Sequence, residues 1–149
     1  MAHTYCSSLF HCVFSTKGRV RTIAPDLQER LWAYMGGIAR ENKMTALAVG
    51  GTEDHAHLLL SLPSSVTIAE AMRKIKGGSS RWLHEVWGLT EFEWQEGYGA
   101  FTIGVSQVDV TVAYIAGQRE HHRKRDFQAE FVAILKQHGI EYDPQHVWG

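Results

Sequence analysis

Two apolar runs, residues 44–49 and 55–62, are separated only by Gly50-Gly51-Thr52-Glu53-Asp54. A parallel pair of strands needs a crossover of a dozen or more residues, so a connection this short and turn-rich returns the chain antiparallel to itself as a hairpin. That hairpin constrains the rest. Residues 7–15, Ser-Ser-Leu-Phe-His-Cys-Val-Phe-Ser, are rich in strand formers and predict a strand ahead of it. A basic loop then leads to Pro25, with Asp26 and Glu29 in a first helical turn. Leu27, Leu31, Tyr34, Met35 and Ile38 keep helical spacing to about Arg40.

After the hairpin, Pro63-Ser64-Ser65 ends the strand. Thr67 and Glu70 have capping-box spacing ahead of Ile68, Ala71, Met72 and Ile75. Gly77-Gly78-Ser79-Ser80 either kinks or ends this second helix before Trp82, Leu83, Val86 and Trp87 resume its pattern. A loop over 91–99 precedes a fourth strand near 100–105. A third helix is expected from Val110 to about His122, and Phe127, Phe131, Ile134 and Leu135 mark a fourth. The order β-α-β-β-α-β with two trailing helices is the ferredoxin-like split βαβ arrangement, an α+β fold with an antiparallel sheet and helices over one face. With no repeat, low-complexity tract or linker, residues 1–149 read as one domain.

A chain of 149 residues buries about 70% of its unfolded surface. No apolar run approaches the ~20 residues of a membrane span, and the N-terminus lacks a signal-peptide core, which points to the cytoplasm. Cys6 and Cys12 are too few for a disulfide framework. On one extended strand they would stand roughly 20 Å apart, so both read as small core residues in a reducing compartment. Net charge is −1, yet most of the 15 Lys and Arg residues fall in three groups: Lys17, Arg19, Arg21; Arg73, Lys74, Lys76, Arg81; and Arg119, Arg123, Lys124, Arg125. Such clusters are either solvated faces or local positive surfaces on a neutral protein.

Chemistry enters with Asp54-His55-Ala56-His57 at the start of the third strand. Side chains two apart on a strand share a face, so this run presents two imidazoles together, and two convergent imidazoles can hold one divalent ion. Further along, Tyr114, Gln118 and His121 lie on one stripe of the third helix, with Val112, Ile115 and Ala116 on the opposite side for packing. The two halves join if the metal serves a phosphate. Two imidazoles and an amide oxygen would leave open positions for phosphate oxygens. A phenolic oxygen attacking in line would displace a 3′-hydroxyl and conserve the phosphodiester's energy in a 5′-phosphotyrosine.

Nearly the whole chain resembles the single-tyrosine HUH transposases, small enzymes of simple bacterial insertion sequences and their repeat-associated relatives. The resemblance runs through His11 with Ser15-Thr16-Lys17-Gly18-Arg19, Asp54-His55-Ala56-His57, and Lys76-Gly77-Gly78-Ser79-Ser80-Arg81. It continues through Trp94-Gln95-Glu96-Gly97-Tyr98, Tyr114-Ile115-Ala116-Gly117-Gln118 and His121-His122-Arg123-Lys124. It implies His55, His57 and Gln118 as metal ligands, Tyr114 as the nucleophile, and Mg²⁺ or Mn²⁺ as the metal. It further implies single-stranded hairpin DNA as substrate, and a homodimer in which the tyrosine helix of one subunit can complete the site of the other.

Lys17, Arg19, Arg21, Lys76 and Arg81 are the expected phosphate contacts, being cations in loops or near a glycine-serine turn. His11 reads as a hydrogen-bonded core histidine, with a catalytic role as the alternative; His121 and His122 are candidates to orient a ligand or touch DNA. Trp82, Trp87 and Trp94 either stack on bases or pack in the core or a dimer. A domesticated hairpin binder and a water-using metal hydrolase are the competing functions. Zinc deaminase chemistry lacks its His-x-Glu and Pro-Cys-x-x-Cys partners, and a structural zinc site lacks its cysteines.

Overall fold

The computed structural model describes residues 3–121 and 126–147, with backbone alone for Arg119 and His121. Strands β1 (Leu9–Ser15), β2 (Thr45–Gly51), β3 (His55–Ser61) and β4 (Gly99–Thr102) form a four-stranded antiparallel sheet in the order β2-β3-β1-β4. Between them run α1 (Pro25–Glu41) and α2 (Ile68–Glu85), and after them α3 (Val108–Ala116), the single turn α4 (Gln118–His121) and α5 (Phe127–Gln137). The expected hairpin and split βαβ order are both present. Leu47 is the extra residue of a bulge in β2, where Ala46 pairs with Leu60 and Ala48 with Leu59.

The two central strands, β1 and β3, are buried on both faces, and the two faces differ. On one, Cys12 and Phe14 of β1 and Ala56, Leu58 and Leu60 of β3 meet Leu27, Leu31 and Met35 of α1 and Met72, Ile75 and Leu83 of α2. On the other, Val13 of β1 and Phe101 of β4 meet Phe127, Phe131 and Ile134 of α5. Alternation along β3 places His55 and His57 on this second face. Two glycines let helices lie close against it. A Cβ on Gly50 would stand 2.7 Å from the Ile115 carbonyl oxygen of α3, and one on Gly99 would stand 2.7 Å from the Phe131 ring of α5.

Several expectations are corrected. The second helix neither kinks nor ends at Gly77-Gly78-Ser79-Ser80: α2 runs unbroken to Glu85. Gly78 lies against Ile38 of α1, and Ser79 turns its hydroxyl back to the Ile75 carbonyl at 2.6 Å while accepting the Trp94 indole N–H at 3.0 Å. Small residues here serve close helix contact, not termination. The third helix begins two residues early and breaks at Gly117, whose N–H closes the last turn of α3 on Ala113. Of its expected packing stripe Ile115 is buried, but Ala116 is exposed. The fourth strand stops at Thr102. Cys6 is exposed, so only Cys12 is a core thiol, and burial pushes it up to about 12. No helix among the described residues is long and apolar enough to cross a membrane.

Candidate active site

The histidine pair begins β3, immediately after the turn, and both side chains are fully buried. His55 Nδ1 lies 2.7 Å from Asp54 Oδ1 and 3.1 Å from Thr52 Oγ1, and Thr52 also donates to Asp54 at 3.1 Å. An ionised carboxylate only accepts, so the Nδ1–H of His55 donates to Asp54 and its Nε2 lone pair points inward. Facing that lone pair are two oxygens, Gln118 Oε1 at 3.0 Å and Glu130 Oε1 at 3.6 Å. The Gln118 amide is held that way round because its Nε2 donates to the Tyr114 carbonyl at 3.2 Å. Lone pairs converging on lone pairs call for a cation, either a proton on Nε2 or a metal ion.

His57 is held in a similar manner. Its Nδ1 is 2.8 Å from Nε2 of His11, and its Nε2 is 3.0 Å from Glu130 Oε1. Burial, with His57 adding to it, drives His11 down to about 3. His11 is therefore neutral and can either donate to His57 or accept from it. If His57 gives its Nε2 lone pair to an ion, its proton sits on Nδ1 and His11 accepts it. The hydrogen-bonded core histidine expected at position 11 is thus also the orienting partner of a candidate ligand.

One carboxylate oxygen and the imidazole nitrogens of His55 and His57 lie within 4.8 Å of one another, and Gln118 adds the amide oxygen. Ligand atoms at about 2.1 Å from an octahedral ion stand about 3.0 Å apart along each edge. The separations of 3.0 Å from His55 to Gln118 and from His57 to Glu130 match such an edge, and the 3.6 Å from His55 to Glu130 is longer than one. The donor set fits a divalent cation.

Tyr114, on the helix seated over Gly50, lies edge-to-face with the rings of His57 and His11, with centroids 5.8 and 6.0 Å away. Its hydroxyl donates to Glu130 Oε2. The structure therefore brings His55, His57, Gln118 and Tyr114 together, within one chain. Glu130 is the residue that sequence reasoning missed. The signal was present: it sits at i+3 of the apolar series Phe127, Phe131, Ile134, so a carboxylate lies on the buried stripe of α5. Asp54 and Thr52, which fix the His55 ring, were also passed over as turn residues.

The expected DNA contacts scatter. Lys17, Arg19 and Arg21 lie in the loop after β1, whose start is pinned to the histidine turn by Thr16 N–H donating to the Asp54 carbonyl at 2.8 Å. Lys17 pairs with Glu93 at 3.2 Å with both side chains exposed, and Arg19 donates to the Gln128 amide oxygen of α5 at 3.1 and 3.2 Å. Arg81 is exposed on α2, over the opposite face of the sheet. Lys76 differs from the rest: its ammonium donates to the carbonyls of Gln95, Glu96 and Gly97 at 2.7, 3.2 and 2.8 Å. Burial draws Lys76 down to about 8. Trp94 is core, Trp82 stacks on Tyr34 at 4.6 Å, and Trp87 lies under Arg30. His122, Arg123, Lys124 and Arg125 lie outside the described residues, as do the side chains of Arg119 and His121.

The IS200-like transposase family model matches residues 4–118, a stretch that contains the histidine pair, Tyr114 and Gln118. The chain belongs to the IS200-like transposase family. The IS200 transposases of Salmonella typhimurium and Salmonella typhi are each 26% identical to it over 140 residues, covering 90% of this chain and 89% of theirs. Two solved structures share the IS200-like fold. A Deinococcus radiodurans protein assigned as a transposase superposes with a TM-score of 0.65 at 21% identity, over 79% of this chain and 96% of that one. A REP-associated tyrosine transposase bound to a REP hairpin gives 0.61 at 17% identity, over 82% and 73%. The expected family and α+β fold are thereby established.

Proposed function

We propose that this IS200-like transposase cleaves and rejoins single-stranded DNA at hairpin-bearing element ends through a covalent link to Tyr114. The observation that carries the proposal is the Tyr114 hydroxyl standing in the same buried cluster as the metal-capable side chains. Mg²⁺ or Mn²⁺ bound by His55, His57 and Gln118 would supply Lewis acidity to polarise the scissile phosphate and offset its developing charge. Asp54 and His11 hold the two imidazoles in orientation. Tyr114 Oη forms a bond to phosphorus, the bond from phosphorus to the departing 3′-oxygen breaks, and the phenol's proton is balanced by the one the new 3′-hydroxyl gains. One phosphodiester is exchanged for another, so rejoining needs no external energy source.

Lys17, Arg19 and Arg21, in the loop whose start Thr16 ties to the histidine turn, are proposed to hold the backbone near the scissile phosphate, with Arg81 meeting a stem further away. Lys76 contributes by shaping the 95–97 loop, because its donors are taken by carbonyls. Placement of Tyr114 beside the histidines of its own chain supports a site built in cis. A homodimer would carry two such sites, and completion in trans would require α3 to leave its seat on Gly50. The cytoplasm is the proposed compartment, with DNA as the partner there.

Labelled single-stranded hairpin DNA incubated with protein and Mn²⁺ should yield a covalent adduct on a denaturing gel that Tyr114→Phe abolishes. An adduct that persists in Tyr114→Phe overturns the nucleophile assignment. Cleavage without adduct points to a hydrolase, and binding without cleavage to a domesticated hairpin binder. His55→Ala should abolish cleavage and spare hairpin binding; equal loss of both contradicts a pure ligand role.

A further inference from the structure

Glu130 lies beyond the 4–118 stretch that matches the family model, on a helix that follows the tyrosine helix. Its carboxylate is fully buried. An ionised carboxylate removed from water costs several kcal/mol unless it is paired, so its surroundings must offer compensation. They do so on both oxygens. Oε1 faces the Nε2 atoms of His57 and His55 at 3.0 and 3.6 Å, and Oε2 accepts the Tyr114 hydroxyl. Phe127, one turn earlier on α5, lies against the His55 ring at 4.7 Å and fixes the helix over the pair.

We infer that Glu130 is a catalytic residue that joins the two halves of the site, one carboxylate oxygen completing the ion-binding set with His55 and His57 and the other holding the Tyr114 hydroxyl. The inference rests on the proposed role of Tyr114. Its physical content is that a single buried side chain, engaged at both oxygens, sets the distance between nucleophile and ion, which two independent supports would not fix as tightly. The carboxylate also brings a negative charge to a set otherwise made of neutral imidazoles and an amide, raising its affinity for a divalent cation.

The test uses the full chain and Mn²⁺ alone as the first probe, followed by electron paramagnetic resonance without DNA. Glu130→Gln keeps the shape and removes the charge, and should weaken Mn²⁺ binding by about 10–100-fold. At saturating Mn²⁺ its adduct formation should remain at least tenfold slow, while hairpin affinity is unchanged. Glu130→Asp keeps the charge but draws both oxygens back by about one bond length; it should weaken Mn²⁺ binding less than Glu130→Gln does and still form adduct slowly. Unaltered Mn²⁺ affinity in folded Glu130→Gln overturns the metal half, and a wild-type adduct rate at saturating Mn²⁺ overturns the tyrosine half. If Glu130→Gln fails to fold, Glu130→Asp decides: an unchanged adduct rate overturns the inference. A wild-type chain that forms no adduct would instead refute the transposase reading, and the Mn²⁺ titration would still report on Glu130.

Discussion

Gly50→Ala tests whether Tyr114 acts from the seat described above. The added Cβ would stand 2.7 Å from the Ile115 carbonyl oxygen and 3.0 Å from its Cγ2, whereas ordinary contact begins near 3.4 Å. The nearer obstacle is helix backbone, which cannot rotate away as a side chain can. Strand β2 is fixed by its pairing, with Gly50 opposite His57, so α3 must retreat by about 0.7 Å. Tyr114 and Gln118 travel with it. A misplacement near 1 Å can cost about 100-fold in rate, so adduct formation should slow by roughly 10–100-fold. Overpacking of this kind costs about 1–3 kcal/mol, a fall of several degrees in Tm at this chain length. The assay is the initial rate of adduct formation at saturating Mn²⁺, beside a Mn²⁺ titration that should change only a few-fold because the histidines sit on β3. Gly36→Ala, with nothing within 4 Å of its Cβ, is the control. Wild-type adduct rate in a Gly50→Ala protein of reduced Tm would falsify the cis seat, placing the tyrosine elsewhere during the reaction.

Four further outcomes are expected. Asp54→Ala removes the acceptor that orients His55, and should weaken Mn²⁺ binding by about 10–100-fold with hairpin affinity retained; unchanged Mn²⁺ affinity would show that the ring needs no such partner. Cys12, with its thiol raised to about 12 by burial, exposes about one part in ten thousand as thiolate at pH 8, so a thiol reagent should label Cys6 alone until guanidinium unfolds the chain. The same shift has a sign for stability: the unfolded thiol ionises near pH 9 while the folded one does not, so its contribution is lost as pH rises above about 9. Gly77→Ala, at an open position inside α2, should raise Tm by about 2–4 °C, since alanine exceeds glycine by about 1 kcal/mol in a helix interior. A fall in Tm would argue that the helix bends there after all.

The fold was legible because its signals are local. A five-residue turn between apolar runs, strand alternation and helical spacing each depend on neighbours in the chain. The histidine pair and the Tyr114–Gln118 spacing were legible for the same reason. What local pattern misjudged was small residues: Gly77 and Gly78 resemble a helix stop, but Ile38 of α1 lies against Gly78 and turns that smallness into contact. Gly117 breaks a helix that periodicity alone would continue. Glu130 is twelve residues past Gln118, and its meaning depends on α5 folding back over β3, a contact with no counterpart in spacing. Lys76 read as a DNA contact because charge and a glycine turn suggested it, and only the folded 95–97 loop reveals where its protons go.

Strand β3 is seven residues long and answers to two masters. Ala56, Leu58 and Leu60 look towards α1 and α2, where shape and volume decide whether the chain folds at all. His55 and His57 look the other way, towards Gln118 and Glu130, where the pairing of donor and acceptor atoms matters more than volume. Substitution of the histidines leaves the first face untouched but strands the buried Glu130 carboxylate, so the two faces are not independent. A chain that lost both histidines would keep its full stability only if Glu130, on a helix 73 residues beyond His57, changed with them.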